Sequence, residues 1–139
     1  MPLLLGFDFG STKIGVAIGQ TLTCEARALT LIKAKNGVPN WAQIANLIKE
    51  WRPQTLVVGL PLNMDDSVSD MSHRAQKFAR QLNGRFNLPV ELWDERLTSF
   101  EARGLIAQNN SKQSVDATAA ALILQSFLNN FQLTKGENN

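Results

Sequence analysis

At 139 residues, 44% hydrophobic and 19% charged, the chain has the make-up of one ordinary globular domain rather than two. Its single cysteine, Cys24, excludes an internal disulfide and a cysteine-built zinc site, and points to a reducing, cytoplasmic setting. A formal net charge of +2 permits a nucleic-acid partner without demanding one, and no run approaches the roughly 18 apolar residues of a membrane span.

Leu3 to Phe9 reads as a strand buried on both faces; its acid, Asp8, argues against a signal peptide. Gly10-Ser11-Thr12 is a turn. Lys13 to Gly19 alternates, with Ile14, Val16 and Ile18 on one face and Lys13, Gly15, Ala17 and Gly19 on the other, which predicts a second strand hairpinned to the first. Arg27 to Ile32 is a third strand. The period then changes: Trp41, Ile44, Ala45 and Ile48 mark an amphipathic helix from Pro39 to Trp51, ended by Arg52-Pro53. Thr55 to Leu60 is a short apolar strand. Val68, Met71, Ala75, Phe78, Ala79 and Leu82 form the next helical stripe, with Ser67 and Asp70 at its start and Gly84 as its stop. Val90 to Trp93 is a strand, Thr98 to Glu101 a capping box opening a helix, and Gln108 to Gln113 a polar loop. Ser114 caps a last helix whose body, Ala117 to Leu128, is apolar almost all round and therefore buried. The order predicts an α/β domain over residues 1–131, a mixed five-stranded sheet with helices on both faces, and a polar tail over 132–139 that frays.

Three acids stand out. Asp8 interrupts an apolar strand, and an unpaired carboxylate taken out of water costs several kcal/mol. It therefore pairs with a base such as Lys13, caps the turn, or holds a cation. Glu95 follows the strand ending at Trp93, at a strand's carboxyl end, where sites in such sheets form. The competing reading is a loop acid paired with Arg96, and Asp94 is the alternative ligand. Asp116 opens the last helix, where the helix dipole alone favours an acid. A helix this apolar should lie on the sheet and bring its first turn to the strand ends, so the three acids can meet at one edge. Carboxylates suit magnesium or manganese, and two such ions about 3.5–4 Å apart can clamp a phosphodiester. That chemistry needs no histidine, and the sole one, His73, reads as an ordinary helix residue.

Four motifs carry a resemblance. Phe7-Asp8-Phe9-Gly10 with Lys13-Ile14-Gly15-Val16-Ala17, Val58-Gly59-Leu60-Pro61-Leu62, Asp94-Glu95-Arg96-Leu97-Thr98-Ser99 with Glu101-Ala102, and Val115-Asp116-Ala117 with Ala120-Ala121-Leu122-Ile123-Leu124-Gln125 resemble the four motifs of the YqgF family. This family is also called RuvX, or Holliday junction resolvase. The likeness runs from Leu3 to about Leu128, and motifs three and four are the specific ones. It implies a ribonuclease-H-like nuclease of the bacterial cytoplasm that matures the 5′ end of pre-16S ribosomal RNA. It also implies that Asp8, Glu95 and Asp116 are both the catalytic residues and the ligands of magnesium (or manganese). Asp65-Asp66-Ser67 departs from the family, many of whose members carry a glycine in this loop, and the basic residue that often follows Lys13 is replaced by Ile14.

For a phosphodiesterase, Lys13, Arg74, Arg96 and Lys112 are the candidate phosphate contacts, each competing with a reading as plain exposed surface. The chain has no tyrosine, and Trp41 and Trp51 read as helix-packing residues, so recognition should follow shape rather than base sequence. Structured RNA is the expected partner, branched DNA the alternative, and a monomer or weak dimer the expected assembly. Two further readings remain: a non-catalytic RNA-binding module, and an actin-like ATPase or sugar kinase, whose phosphate hairpin Asp8-Phe9-Gly10-Ser11-Thr12 would suit but whose second domain does not fit in this length.

Overall fold

A computed structural model describes residues 3–10, 12–61, 70–94 and 115–137, the last segment with side chains from 118 to 130. Its elements are β1 (Leu3–Asp8), β2 (Lys13–Gln20), β3 (Glu25–Lys35), β4 (Val38–Pro39), α1 (Trp41–Trp51), β5 (Thr55–Leu60), α2 (Asp70–Phe86), β6 (Val90–Asp94) and α3 (Val115–Glu137). The strands form one sheet in the order β4-β3-β2-β1-β5-β6. β1, β2 and β3 are an antiparallel meander, whereas β5 and β6 run parallel to β1.

The expected five strands are therefore six among the described residues. The addition is a two-residue ladder, Ala34↔Pro39 and Lys35↔Val38, closed by Asn36 (φ 52°) and Gly37 (φ 81°). Two consecutive residues with positive φ are what a two-residue hairpin turn demands, and Asn-Gly is its strongest sequence signal. That signal stood in the sequence unused.

Strand alternation divides the interior into two layers. Leu5, Phe7, Phe9, Ile14, Val16, Ile18, Ile32, Leu56 and Val58 face α1 and α2, which contribute Ile44, Ala75, Phe78, Ala79 and Leu82. Leu4, Ala17 and Val57 face α3, which contributes Ala120, Ile123, Leu124 and Leu128. Helices on both faces are thus observed. Where α3 comes closest, the sheet carries glycine. A Cβ on Gly6 would stand 2.9 Å from Leu124 Cβ, and one on Gly19 would stand 2.9 Å from Leu128 Cδ1.

The helix before Pro53 stops at Trp51 as expected, with Arg52 outside the helical region in the left-handed one (φ 49°, ψ 58°), its N–H bonding Ile48 O at 2.8 Å. The end of the next helix differs: Gly84 does not stop α2. The helix continues to Phe86, and Asn87 (φ 55°) takes the left-handed position, its N–H bonding Asn83 O at 2.9 Å. In α1 the inward row uses Leu47 where Ala45 was expected, and Ala45 is exposed. α3 runs on to Glu137, through most of the stretch read as a tail.

Candidate functional site

β1 delivers Asp8 to its carboxyl end. Alternation from Leu4 and Gly6, which both meet the α3 layer, puts Asp8 on that same layer, where it is half-buried. Phe7 and Phe9 on either side of it belong to the opposite core. Asp8 pairs across the hairpin with Gly15.

α3 runs antiparallel to β1. Gly6 meets Ala120 and Leu124, whereas Gly19, the partner of Leu4, meets Leu124 and Leu128. Moving from Gly6 to Asp8 advances about 6.6 Å along the strand, and one helical turn advances about 5.4 Å. The level of Asp8 is therefore that of the first turn of α3, which carries position 116. Positions 116, 120, 124 and 128 also form one i, i+4 row, and the last three of these lie against the sheet.

Lys13 continues the row of Gly15, Ala17 and Gly19 and so lies on the α3 layer, one step beyond the Asp8↔Gly15 pair. The register sets Lys33 directly opposite Lys13, and both are exposed. Like charges directly opposite one another cost stability. The pair makes a small electropositive patch beside Asp8. Lys33 was not foreseen, because the third strand was read as ending at Ile32, one residue short.

Asp94 and Glu91 separate by face. Trp93 donates from Nε1 to Ser126 Oγ at 3.0 Å and meets Phe127 edge-on at 5.5 Å, so it lies on the α3 layer, whereas Val90 packs against the other core. By alternation Asp94 belongs with Val90 and Leu92, on the side away from Asp8. Glu95, Arg96 and Lys112 lie outside the described residues, as does the Asp65-Asp66-Ser67 loop. Among the described residues no group of three or more His, Cys, Asp or Glu side chains gathers. His73 is exposed on α2.

Arg74 is not brought to Asp8's layer. It sits on α2, across the sheet, where its Nε meets Asp70 Oδ2 at 3.3 Å. It is nonetheless at the same end of the sheet. A methyl group built on Gly37 would lie 3.7 Å from Arg74 Nη1 and 3.9 Å from Phe9 Cζ. Buried Ser72 donates to Pro61 O, tying the start of α2 to the end of β5.

No helix of the described chain is long and apolar enough to cross a membrane. Residues 2–130 match the family model described as RuvX: Holliday junction resolvase. A Pseudomonas putida protein named "Putative pre-16S rRNA nuclease" is 61% identical over 134 residues, covering 92% of this chain and 95% of its own. One of the same name from Azotobacter vinelandii is 56% identical over 131 residues, covering 91% and 92%. Among solved structures, Thermus thermophilus RuvC in complex with a Holliday junction substrate aligns with a TM-score of 0.66 over 96% of both chains, at 14% identity. The fowlpox virus resolvase with Holliday junction DNA aligns at 0.57 and 11% identity, over 93% of this chain and 98% of that one. Identities that low speak for the fold alone, which is the ribonuclease-H-like one. The family match and the high identity along nearly the whole length go further: this chain belongs to the RuvX family of nucleases.

Proposed function

We propose that this chain hydrolyses phosphodiester bonds in maturing the 5′ end of pre-16S ribosomal RNA, with Asp8, Glu95 and Asp116 holding its metal ions. The observation that carries the reading is the placement of Asp8. A half-buried carboxylate ends the central strand β1, on the layer where the first turn of α3 arrives. The shared name of relatives 61% and 56% identical supports the RNA substrate. The family's description, Holliday junction resolvase, favours branched DNA as the second reading.

The donor chemistry fits a hard divalent cation. Asp8 offers carboxylate oxygens, and the proposed co-ligands Glu95 and Asp116 would add two more carboxylates and no soft donor. Magnesium or manganese, when bound, supplies charge to activate a water and to stabilise the leaving oxygen. The chain's own groups do the rest. Asp8 fixes where positive charge can sit, because β1 is central in the sheet, paired on both sides as far as Phe7, with Asp8 itself paired to Gly15. Lys13 and Lys33 offer ammonium groups to phosphate oxygens on the same layer, where they position the backbone without reading sequence. Arg96 and Lys112 are proposed as further phosphate contacts. Glu95 is preferred to Asp94 as co-ligand because Asp94 belongs to the far face. The protein works in the cytoplasm as a monomer or weak dimer.

The test is cleavage of a pre-16S leader RNA beside a four-way DNA junction. Asp8→Asn should lower cleavage by at least about 100-fold, since even outer-shell partners of metal ligands are worth 10–100-fold. RNA binding should persist in this variant, and chelator should stop the wild type. Undiminished cleavage by Asp8→Asn, or activity in excess EDTA, sinks the metal mechanism. Preference for the junction transfers the substrate to DNA.

A further inference from the structure

On the side of the sheet away from Asp8, but at the same end, lies an open groove of about 250 Å³. One wall is α2, whose Arg74, Lys77 and Gln81 stand at i, i+3 and i+7 and so share a helix face. The other wall is the β3–β4 turn, Asn36-Gly37. The floor is aromatic: Trp41 is half-buried and offers ring surface, while Phe9 and Phe78 are buried core residues that back it. Phe78 packs on Phe9 at 5.1 Å and on Trp41 at 5.8 Å between ring centres, so the floor is one continuous ring cluster. The Arg85 guanidinium lies 4.2 Å from the Trp41 ring centre and extends the cluster with a stacked cation.

Arg74 and Lys77 are exposed, and none of the described residues lining the groove is acidic. The nearby acid is Asp70, itself 85% exposed and paired with Arg74. A cationic wall over an aromatic floor is the arrangement that holds single-stranded nucleic acid: cations track the phosphates and rings take the bases. Phe9, in the floor, directly follows Asp8 in the chain. A strand cut beside Asp8 therefore needs only to cross the end of β1 to enter the groove.

We propose that this groove binds the single-stranded flank of the nucleic acid cut at Asp8, with Arg74 and Lys77 on its phosphates and the half-buried Trp41 ring, backed by the buried Phe9 and Phe78, against its bases. The inference rests on the nuclease reading above. It adds a binding site on the opposite layer, and it gives Arg74 a role at a distance from the metal. What the groove reads is the phosphodiester backbone and a ring face, chemistry that RNA and DNA flanks share.

The experiment measures binding in the full-length Asp8→Asn chain, so that no substrate is consumed. An RNA hairpin is compared with and without a single-stranded flank of about six nucleotides, a length within the usual site size. RNA and DNA flanks form separate arms, and each is titrated across salt. The flank should raise affinity about 10-fold. Adding R74E and K77E should abolish that gain and flatten the salt dependence by about 1.4 in log–log slope, about 0.7 for each lost contact. The charge-matched pair R27E and K49E, both at exposed positions outside the groove, should retain the gain. A gain with either flank that only the groove pair removes supports the site. No gain with either flank overturns it, as does an equal loss in the charge-matched pair. Wild-type cleavage of the unflanked hairpin separates the two claims. Cleavage without a flank effect removes the groove alone, and a groove-dependent flank effect without cleavage removes the nuclease reading alone.

Discussion

Single residues set how closely the two layers approach. Gly6 is small because Leu124 is there: a side chain must move either itself or α3, and α3 carries position 116 toward Asp8. Gly6→Val should destabilise by about 1–3 kcal/mol, the usual range for overpacking, seen as a lower midpoint in denaturant with an unchanged slope. Gln125, next to Leu124 in the middle of that helix, ties it to β3. Its Oε1 accepts from Ala26 N–H at 2.9 Å, and its Nε2 donates to Cys24 O at 2.6 Å. One side chain thus satisfies two backbone groups at the start of β3. Gln125→Ala should cost about 1–3 kcal/mol, and Gln125→Glu, which keeps the acceptor and loses the donor, should fall between. A Gln125→Ala protein as stable as wild type would show that water replaces both bonds. Of the cations, Lys13 was readable because it follows the turn after Asp8. Lys33 and Lys77 were not, because their importance lies in strand register and in a groove, both set by residues far away in the chain.

At the scale of elements, periodicity carried most of the fold. The strand at Thr55–Leu60 has the limits expected of it, and the inward row of α2 from Met71 to Leu82 is the expected one. Helix ends were harder, because the left-handed residue that closes a helix need not be glycine. Asn87 does that work in α2, which leaves Gly84 inside the helix with nothing within 4 Å of a Cβ. Gly84→Ala should therefore stabilise the protein by about 0.5–1 kcal/mol, measured as a rise in unfolding midpoint. No gain would mean that the last turn of α2 frays in solution. The proposed site was half readable on the same grounds. Asp8 is marked by the apolar strand around it, whereas the acids at 95 and 116 sit where acids are ordinary and depended on the family's motifs.

At the scale of the molecule, the proposed sites gather at one end of the sheet, with a carboxylate on one layer and a cationic groove on the other. A metal held at Asp8 should bind the folded chain and not the unfolded one. Magnesium at about 100 times its dissociation constant should then add about 2.7 kcal/mol of stability, visible as a higher melting temperature that chelator reverses. Asp8→Asn should shrink that increment, and an identical increment in the variant would place the ion elsewhere. This readout needs no substrate. The route of α3 across the sheet has a temporal consequence. β1 lies near the start of the chain, and the helix that covers its second face follows every other described element. While the chain is being made, Leu4, Ala17 and Val57 have no cover, and Asp8 stands without the turn that faces it. The core with α1 and α2 can close first, so the growing protein should fold its scaffold before it acquires its chemistry. A nuclease whose proposed substrate is the ribosome's own RNA would then remain inert until that helix has been made and has docked.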